Sequence, residues 1–189
     1  MVSHTFYTQH TEEFYDFYKN KMIFLDAKPN KAHLKLAEME RAGKLSAIVT
    51  QNIDGLHQAA GSKNVFELHG SVHRNYCQKC GKFFDVNYVV NAKGVPYCDE
   101  CGGIIKPDVV LYEEGLDSQT INGAVRAISK ADMLIIGGTS LVVYPAAGMI
   151  DYFKGKYLAV LNRDATSRDK QADLCITDPI GEVLGRIRV

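Results

Sequence analysis

Met133-Leu134-Ile135-Ile136-Gly137-Gly138-Thr139-Ser140 decides the fold. Four consecutive apolar residues read as a short strand covered on both faces, and the paired glycines let the chain turn tightly at its carboxyl end. The same texture recurs on either side. Residues 45–50, 65–68, 108–112, 157–161 and 173–176 are further short runs dominated by apolar residues. Helical stretches separate several of them, notably 118–131 and 145–153. Short, mostly apolar strands alternating with helices predict an α/β protein: a Rossmann-like parallel sheet with helices on both faces.

Toward the amino terminus the pattern becomes helical. Residues 11–25 predict a helix, with Thr11 as cap, Glu12 and Glu13 at the positive end of its dipole, and Phe14, Phe17 and Tyr18 on one face. Pro29 interrupts, residues 31–41 predict a second helix, and Gly43 is its stop. Residues 75–106 break the strand–helix alternation with a polar stretch rich in Cys, Gly, Asp and Lys. The expected division is therefore 1–43 as the helical part of a small domain, 44–74 with 107–189 as the Rossmann-like domain, and 75–106 as an inserted metal module.

Composition narrows the function classes. Of 189 residues, 46% are apolar and 23% charged, so the chain can bury a substantial core. Twenty-two Lys and Arg balance 22 Asp and Glu, which argues against electrostatic binding of nucleic acid. No apolar run approaches the roughly 18–20 residues that a membrane helix needs. Residues 1–10 show neither a basic region nor an apolar core of a signal peptide, so the chain reads as cytoplasmic.

Four of the five cysteines form two pairs, Cys77-x2-Cys80 and Cys98-x2-Cys101, with 17 residues between them. Each pair is a knuckle that aims two sulfurs at one point, and two knuckles offer four thiolates, the donor set of tetrahedral zinc. Gly81, Gly102 and Gly103 follow the knuckles, where tight turns favour positive φ. A four-thiolate site has no open position for water, so the zinc is structural, and a module of this size needs such a staple. Cys175, inside a predicted strand, reads as a buried small hydrophobe.

Polar, glycine-containing turns follow three of the strands, and a polar pair follows a fourth. Thr50-Gln-Asn-Ile-Asp-Gly-Leu-His57 places Gln51, Asn52 and Asp54 at a strand end, which suits ribose hydroxyls and a held water, and equally suits a polar turn with a helix cap. Leu68-His69-Gly70 puts a histidine at another strand end, the position and near-neutral pKa of a general base. His4, His10 and His33 carry only a packing or surface reading, and His57 is intermediate. Gly138, Thr139 and Ser140 let backbone N–H groups and hydroxyls approach a phosphate, and Asn162-Arg163 can contact a second ribose. In doubly wound sheets ligands bind beyond the carboxyl ends of the strands, so these turns read as one site.

Together these blocks resemble the sirtuin family. The matching segments are Ala27-Lys-Pro-Asn30, Thr50 to His57, Phe66-Glu-Leu-His-Gly70, the four cysteines, Lys106-Pro-Asp-Val-Val110, Gly138-Thr-Ser-Leu141 with Tyr144-Pro-Ala-Ala147, and Gly181-Glu-Val-Leu184. The resemblance implies an NAD-dependent protein-lysine deacylase: the acyl-lysine amide oxygen attacks the ribose carbon bearing nicotinamide, and the acyl group ends on ADP-ribose. It implies His69 as the general base, with Asn52 and Asp54 ordering the ribose and a water. It implies NAD contacts from Gln51, Asn52, Ile53, Asp54, Gly138, Thr139, Ser140, Asn162, Arg163 and Ile180. Val110 and Tyr112 match the acyl-lysine tunnel, and the implied partner is an acylated-lysine protein or peptide. Neither nucleic acid nor membrane is implied.

The sequence departs from the family pattern in two places. Tyr112-Glu113-Glu114 stands where the family usually has Phe-Gly-Glu, so this loop is expected to differ in conformation and charge. The family's opening strand, its Gly-Ala-Gly-Ile-Ser turn and its Asp-Phe-Arg loop have no counterpart, so the chain reads as N-terminally truncated and is expected to bind NAD poorly as it stands. Two readings follow, an active deacylase and a remnant that binds acyl-peptides or a partner.

Overall fold

The computed structural model describes residues 1–189. In chain order its elements are α1 (His4–Gln9), α2 (Thr11–Lys21), α3 (Lys31–Arg41), β1 (Ile48–Thr50), α4 (Leu56–Ala59), β2 (Val65–Glu67), β3 (Gly70–Cys77), β4 (Phe83–Phe84), α5 (Val86–Asn91), β5 (Ile105–Val109), α6 (Ser118–Lys130), β6 (Met133–Gly137), a 3-10 helix (Ala146–Tyr152), β7 (Tyr157–Leu161), a short 3-10 turn (Asp169–Gln171), β8 (Leu174–Ile176) and α7 (Ile180–Gly185). No helix is long and apolar enough to cross a membrane. The strands form three sheets: β1-β2, β4-β3-β5 and β6-β7-β8.

The chain folds into two compact units. The first comprises residues 1–27, 51–55 and 67–117; the second comprises 28–50, 56–66 and 118–189. Residues 28–43, grouped with the amino-terminal helix on the sequence, pack in the second unit, where α3 lies against α7.

In the first unit the core is aromatic. Phe14, Tyr15 and Tyr18 of α2 are fully buried. Tyr7 and Phe14 meet edge to face at 5.0 Å, and Phe14 stacks on Tyr18 at 5.6 Å. Such pairs add about 0.5–1.5 kcal/mol each beyond area burial. The same cluster holds Val72 of β3, Phe84, Val89 of α5, Ile105 of β5, and two of the metal-module cysteines, Cys77 and Cys98. The metal module is thus continuous with the core beneath α2. Two polar ties reinforce this: Tyr15 donates its hydroxyl to Ile105 O at 2.5 Å, and Lys19 Nζ donates to Ala92 O and Gly94 O, both at 2.6 Å. Burial pushes the Tyr15 and Tyr18 hydroxyls well above the usual tyrosine range.

The helix expected over 11–25 is shorter, and Thr11 does not cap it. A preceding helix, α1, ends at Gln9, and the Thr11 hydroxyl donates back to Tyr7 O at 2.9 Å. By contrast α3 begins and ends where the sequence placed it. Asn30 Oδ1 accepts from the N–H groups of Ala32 and His33 while His33 Nδ1 accepts from Asn30 N, a reciprocal cap, and Gly43 takes φ +71° past the last turn.

In the second unit β6, β7 and β8 are parallel, with Gly137 opposite Leu161 and Leu161 opposite Ile176. All three strands therefore end on one edge. Ala159 and Leu161 of β7 pack with Ala32 of α3 and Leu184 of α7, and Leu158 and Val160 pack with Ile136 and Leu141. This is the parallel, helix-covered arrangement of an α/β protein. One predicted strand lies elsewhere: the run over 108–112 is strand only as β5, Ile105–Val109, and it pairs antiparallel with β3 because the chain returns along β3 from the metal module. Cys175 is exposed rather than buried, since β8 is a three-residue edge strand.

Replacing Phe14 by Ala is expected to cost about 3–5 kcal/mol, as for other fully buried aromatics. A fall in the midpoint of thermal unfolding measures it.

Candidate functional site

At the end of β2 the chain enters His69 and Gly70, then β3. Gly70 adopts φ +74°, and a Cβ there would lie 1.9 Å from Asp108 O. Only glycine lets β3 meet β5 at this point. The register Gly70 to Val109 and Ser71 to Asp108 follows, and Val110 N donates to His69 O at 3.0 Å. His69 and Val110 are thereby fixed side by side.

The β3–β5 register shifts between Ser71 and Asn75, so β3 bows away from its partner. The bow supports the polar turn over residues 51–55. Val72 N donates to Ile53 O at 3.0 Å, and His73 Nε2 donates to Asp54 O at 3.0 Å. His69 Nδ1 lies 3.1 Å from Gln51 O. A carbonyl only accepts, so Nδ1 carries the ring proton and Nε2 is left as the basic nitrogen. His69 is half-buried, as are Gln51, Ile53 and Asp54, whereas Asn52 is exposed. The first unit thus brings Gln51, Asn52, Ile53, Asp54, His69 and Val110 together. Tyr112 is the second residue beyond Val110 and is 65% exposed.

Sequence reasoning missed three supporting side chains. His73 braces the 51–55 turn through Asp54 O. Asn75 is fully buried and donates to Val72 O and Phe84 O at 3.2 and 3.3 Å, which holds the bow. Arg74 bridges Glu67 and Asp108, each at 2.7 Å, and so ties the strand before His69 to the strand before Val110. All three lie in a polar stretch whose strand character arises only from tertiary pairing.

In the second unit, Gly138, Thr139 and Ser140 follow β6, Asn162 and Arg163 follow β7, and Ile180 opens α7. Gly138 N donates to Leu161 O at 3.1 Å, Asn162 N to Ile176 O at 3.0 Å, and Asn162 Nδ2 to Asp164 O at 2.8 Å. Thr139 Oγ1 accepts from Leu141 N at 3.2 Å. Ile180 reaches over Gly137, where a Cβ would lie 2.4 Å from Ile180 Cδ1. This edge gathers Gly138, Asn162 and Ile180 at the carboxyl ends of parallel strands, the location where α/β proteins hold nucleotides. The residues of this edge that could hold a phosphate and a ribose hydroxyl are the Gly138–Ser140 turn and Asn162.

The sulfur atoms of Cys77, Cys80, Cys98 and Cys101 all lie within 4.8 Å of one another. Cys77 and Cys101 are 3.4 Å apart, and Cys80 and Cys98 are 3.7 Å apart. Tetrahedral zinc with bonds of about 2.3 Å requires sulfurs about 3.8 Å apart, so the set fits. The knuckles close through Gly81 N to Cys77 O at 2.9 Å and Gly102 N to Cys98 O at 3.0 Å. Gly81 and Gly102 take positive φ, as expected; Gly103 does not, and is required instead because a Cβ would lie 2.8 Å from Cys77 Sγ. Burial pushes the Cys77 thiol up, but the N–H groups of Cys80 and Lys79 and the neighbouring sulfurs outweigh it and bring it down to about 6. At Cys80 the Lys82 N–H favours the thiolate, yet the Cys101 and Cys77 sulfurs outweigh it and push the thiol up to about 12. Four sulfurs this close cannot all ionise without a cation among them, and zinc removes that conflict.

The sequence model of the Sir2 family matches residues 1–145. The chain belongs to the Sir2 family. A Clostridium acetobutylicum protein named NAD-dependent protein deacetylase is 66% identical over 185 residues, 97% of this chain and 76% of that relative. A Clostridium perfringens protein of the same name is 63% identical over 188 residues, 99% of this chain and 77% of the relative. Among solved structures, a Sir2 complex with p53 peptide and NAD+ is similar with a TM-score of 0.91 at 40% identity, over 98% of this chain and 80% of that one. A Sir2 bound to acetylated peptide gives 0.89 at 39% identity, over 98% and 80% of the two chains.

Two outcomes follow for this sirtuin. Purified protein is expected to carry one zinc per chain by metal analysis, and Cys98→Ala to lose it together with the folded state of residues 75–106, since three ligands do not close the site. Gly70→Ala is expected to destabilise by about 1–3 kcal/mol for the backbone conformation alone, with the clash against Asp108 O added, read as a lowered unfolding midpoint.

Proposed function

We propose that the protein is an NAD-dependent protein-lysine deacylase in which His69 is the general base and an acylated-lysine protein or peptide is the partner. The observation that carries this reading is the His69 Nδ1 hydrogen bond to Gln51 O, which fixes the tautomer with Nε2 as base. When bound, NAD supplies the ribose carbon that accepts the acyl oxygen as nicotinamide departs, so the acyl group leaves on ADP-ribose. His69 Nε2 takes a proton from a ribose hydroxyl. Asn52 and Asp54 orient the ribose and a water, and Gln51 and Ile53 line the same turn. On the second unit Gly138, Thr139 and Ser140 serve a phosphate, Asn162 and Arg163 a ribose, and Ile180 the adenine side. Val110 and Tyr112 contact the acyl-lysine side chain. Cys77, Cys80, Cys98 and Cys101 hold a structural zinc that takes no part in the chemistry. Thiolate ligands need a reducing compartment, which supports a cytoplasmic location.

Nicotinamide release from NAD in the presence of an acetyl-lysine peptide, matched to deacetylated peptide by mass spectrometry, is the test. In a chain that also carries the family's opening strand and Gly-Ala-Gly-Ile-Ser turn, His69→Ala is expected to lower turnover by about 10²–10⁴-fold, the usual contribution of general base catalysis, with zinc content unchanged. Turnover within a few-fold of the parent would assign His69 to packing.

A further inference from the structure

Glu113 is one of two non-glycine residues with positive φ, at 78°. That conformation suits glycine, so something must hold a glutamate in it. Its carboxylate accepts two hydrogen bonds from Thr5 in the first turn of α1: one from the backbone N–H at 2.9 Å and one from the hydroxyl at 2.7 Å. Thr5 thereby holds the Glu113 carboxyl below the usual carboxylate range. The flanking backbone is gripped as well. His4 N donates to Tyr112 O and Tyr112 N donates to Val2 O, both at 3.0 Å, so Ser3 and Tyr112 form a parallel bridge. Glu114 accepts from Leu111 N at 2.8 Å and Lys106 Nζ at 3.1 Å, and pairs with His4 Nδ1 at 2.9 Å.

The loop over residues 110–114 is therefore anchored at both ends. Val110 is tied to His69 O, and residues 112–114 are tied to residues 2–5. Between these anchors the Tyr112 side chain stays 65% exposed on a fixed backbone. A loop held this way before its ligand arrives does not lose that freedom on binding.

We infer that Thr5 and Glu113 form a strap that positions Tyr112 for the acyl-lysine peptide, and that both are positioning residues for this substrate. The inference rests on the reading of Val110 and Tyr112 as acyl-lysine contacts. The strap touches neither His69 nor the 51–55 turn, so its effect falls on peptide binding.

Steady-state kinetics with NAD and an acetyl-lysine peptide varied separately test this on the chain carrying the family's opening segment and on its variants. Thr5→Val and Glu113→Ala are each expected to raise the peptide KM about three- to tenfold, the range set by freeing one or two ordered groups. kcat and the NAD KM should stay within twofold. Glu113→Gln, which keeps an oxygen for Thr5, should remain near the parent. Tyr112→Ala separates the two layers. A raised peptide KM in Tyr112→Ala with none in Thr5→Val and Glu113→Ala overturns the strap alone. An unchanged peptide KM in Tyr112→Ala overturns both the strap and the loop assignment. Parallel losses in kcat, NAD KM and unfolding midpoint would make the pair a general fold contact and overturn the positioning role.

Discussion

The antiparallel pairing of β3 with β5 is the constraint from which the first unit takes its form. One end of β3 carries Gly70, pressed against the Asp108 carbonyl, and the other carries Cys77, one of the four clustered cysteines. Eight residues of strand span roughly 25 Å at about 3.3 Å per residue. Over that length the pair links the zinc knuckles to the His69 and Val110 backbones. The bow between Ser71 and Asn75 turns a uniform ladder into a support, because the groups freed there hold the 51–55 turn. Arg74, with its fork shared between Glu67 and Asp108, closes the arrangement on the outer side. A planar guanidinium suits this bridging better than a lysine would, since two of its N–H donors are fixed in direction.

The aromatic cluster explains how so small a metal module stays ordered. Cys77 and Cys98 belong to the same buried group as Phe14, Tyr15 and Tyr18. A metal held by the four cysteines would fix the knuckles while α2 covers the strands that lead from them, so apolar burial and ligation would act on one body. Neither suffices alone, because residues 75–106 are too few to bury a core of their own.

Features governed by local rules could be read from the sequence. Pro29 and Gly43 bracket α3 because chain breaks and left-handed turns are local chemistry, and the Asn30 cap between them emerges in the structure. The cysteine spacing foretold that four sulfurs cluster, because a knuckle is a local turn. The runs at 133–136 and 157–161 are strands because burial on both faces leaves a continuous apolar signature. β3 could not be read in this way. Gly-Ser-Val-His-Arg-Asn-Tyr-Cys has no clean alternation, and its buried Asn75 is acceptable only because Val72 O and Phe84 O accept from it. The strand assigned to 108–112 was displaced for a related reason: beyond Val109 the chain leaves the ladder to meet residues 2–5, a contact more than a hundred residues away in sequence. The contacts of His73 and Arg74 stayed hidden with β3, whereas the place of His69 at a strand end was visible because a histidine before glycine is itself a local signal.

The four clustered cysteines and His69 stand at opposite ends of one strand pair, and under the proposed function this has a practical consequence for anyone assaying the protein. A chelator such as EDTA would inhibit it, and readded zinc would restore it, the usual signature of a metal-dependent hydrolase. The time course would tell otherwise. Inhibition would develop at the slow rate at which four thiolates release their ion, and raising either substrate would not compete it away. Metal dependence here reports the integrity of a strand pair, so a screen that scores endpoint inhibition alone would assign the protein to the wrong class of chemistry.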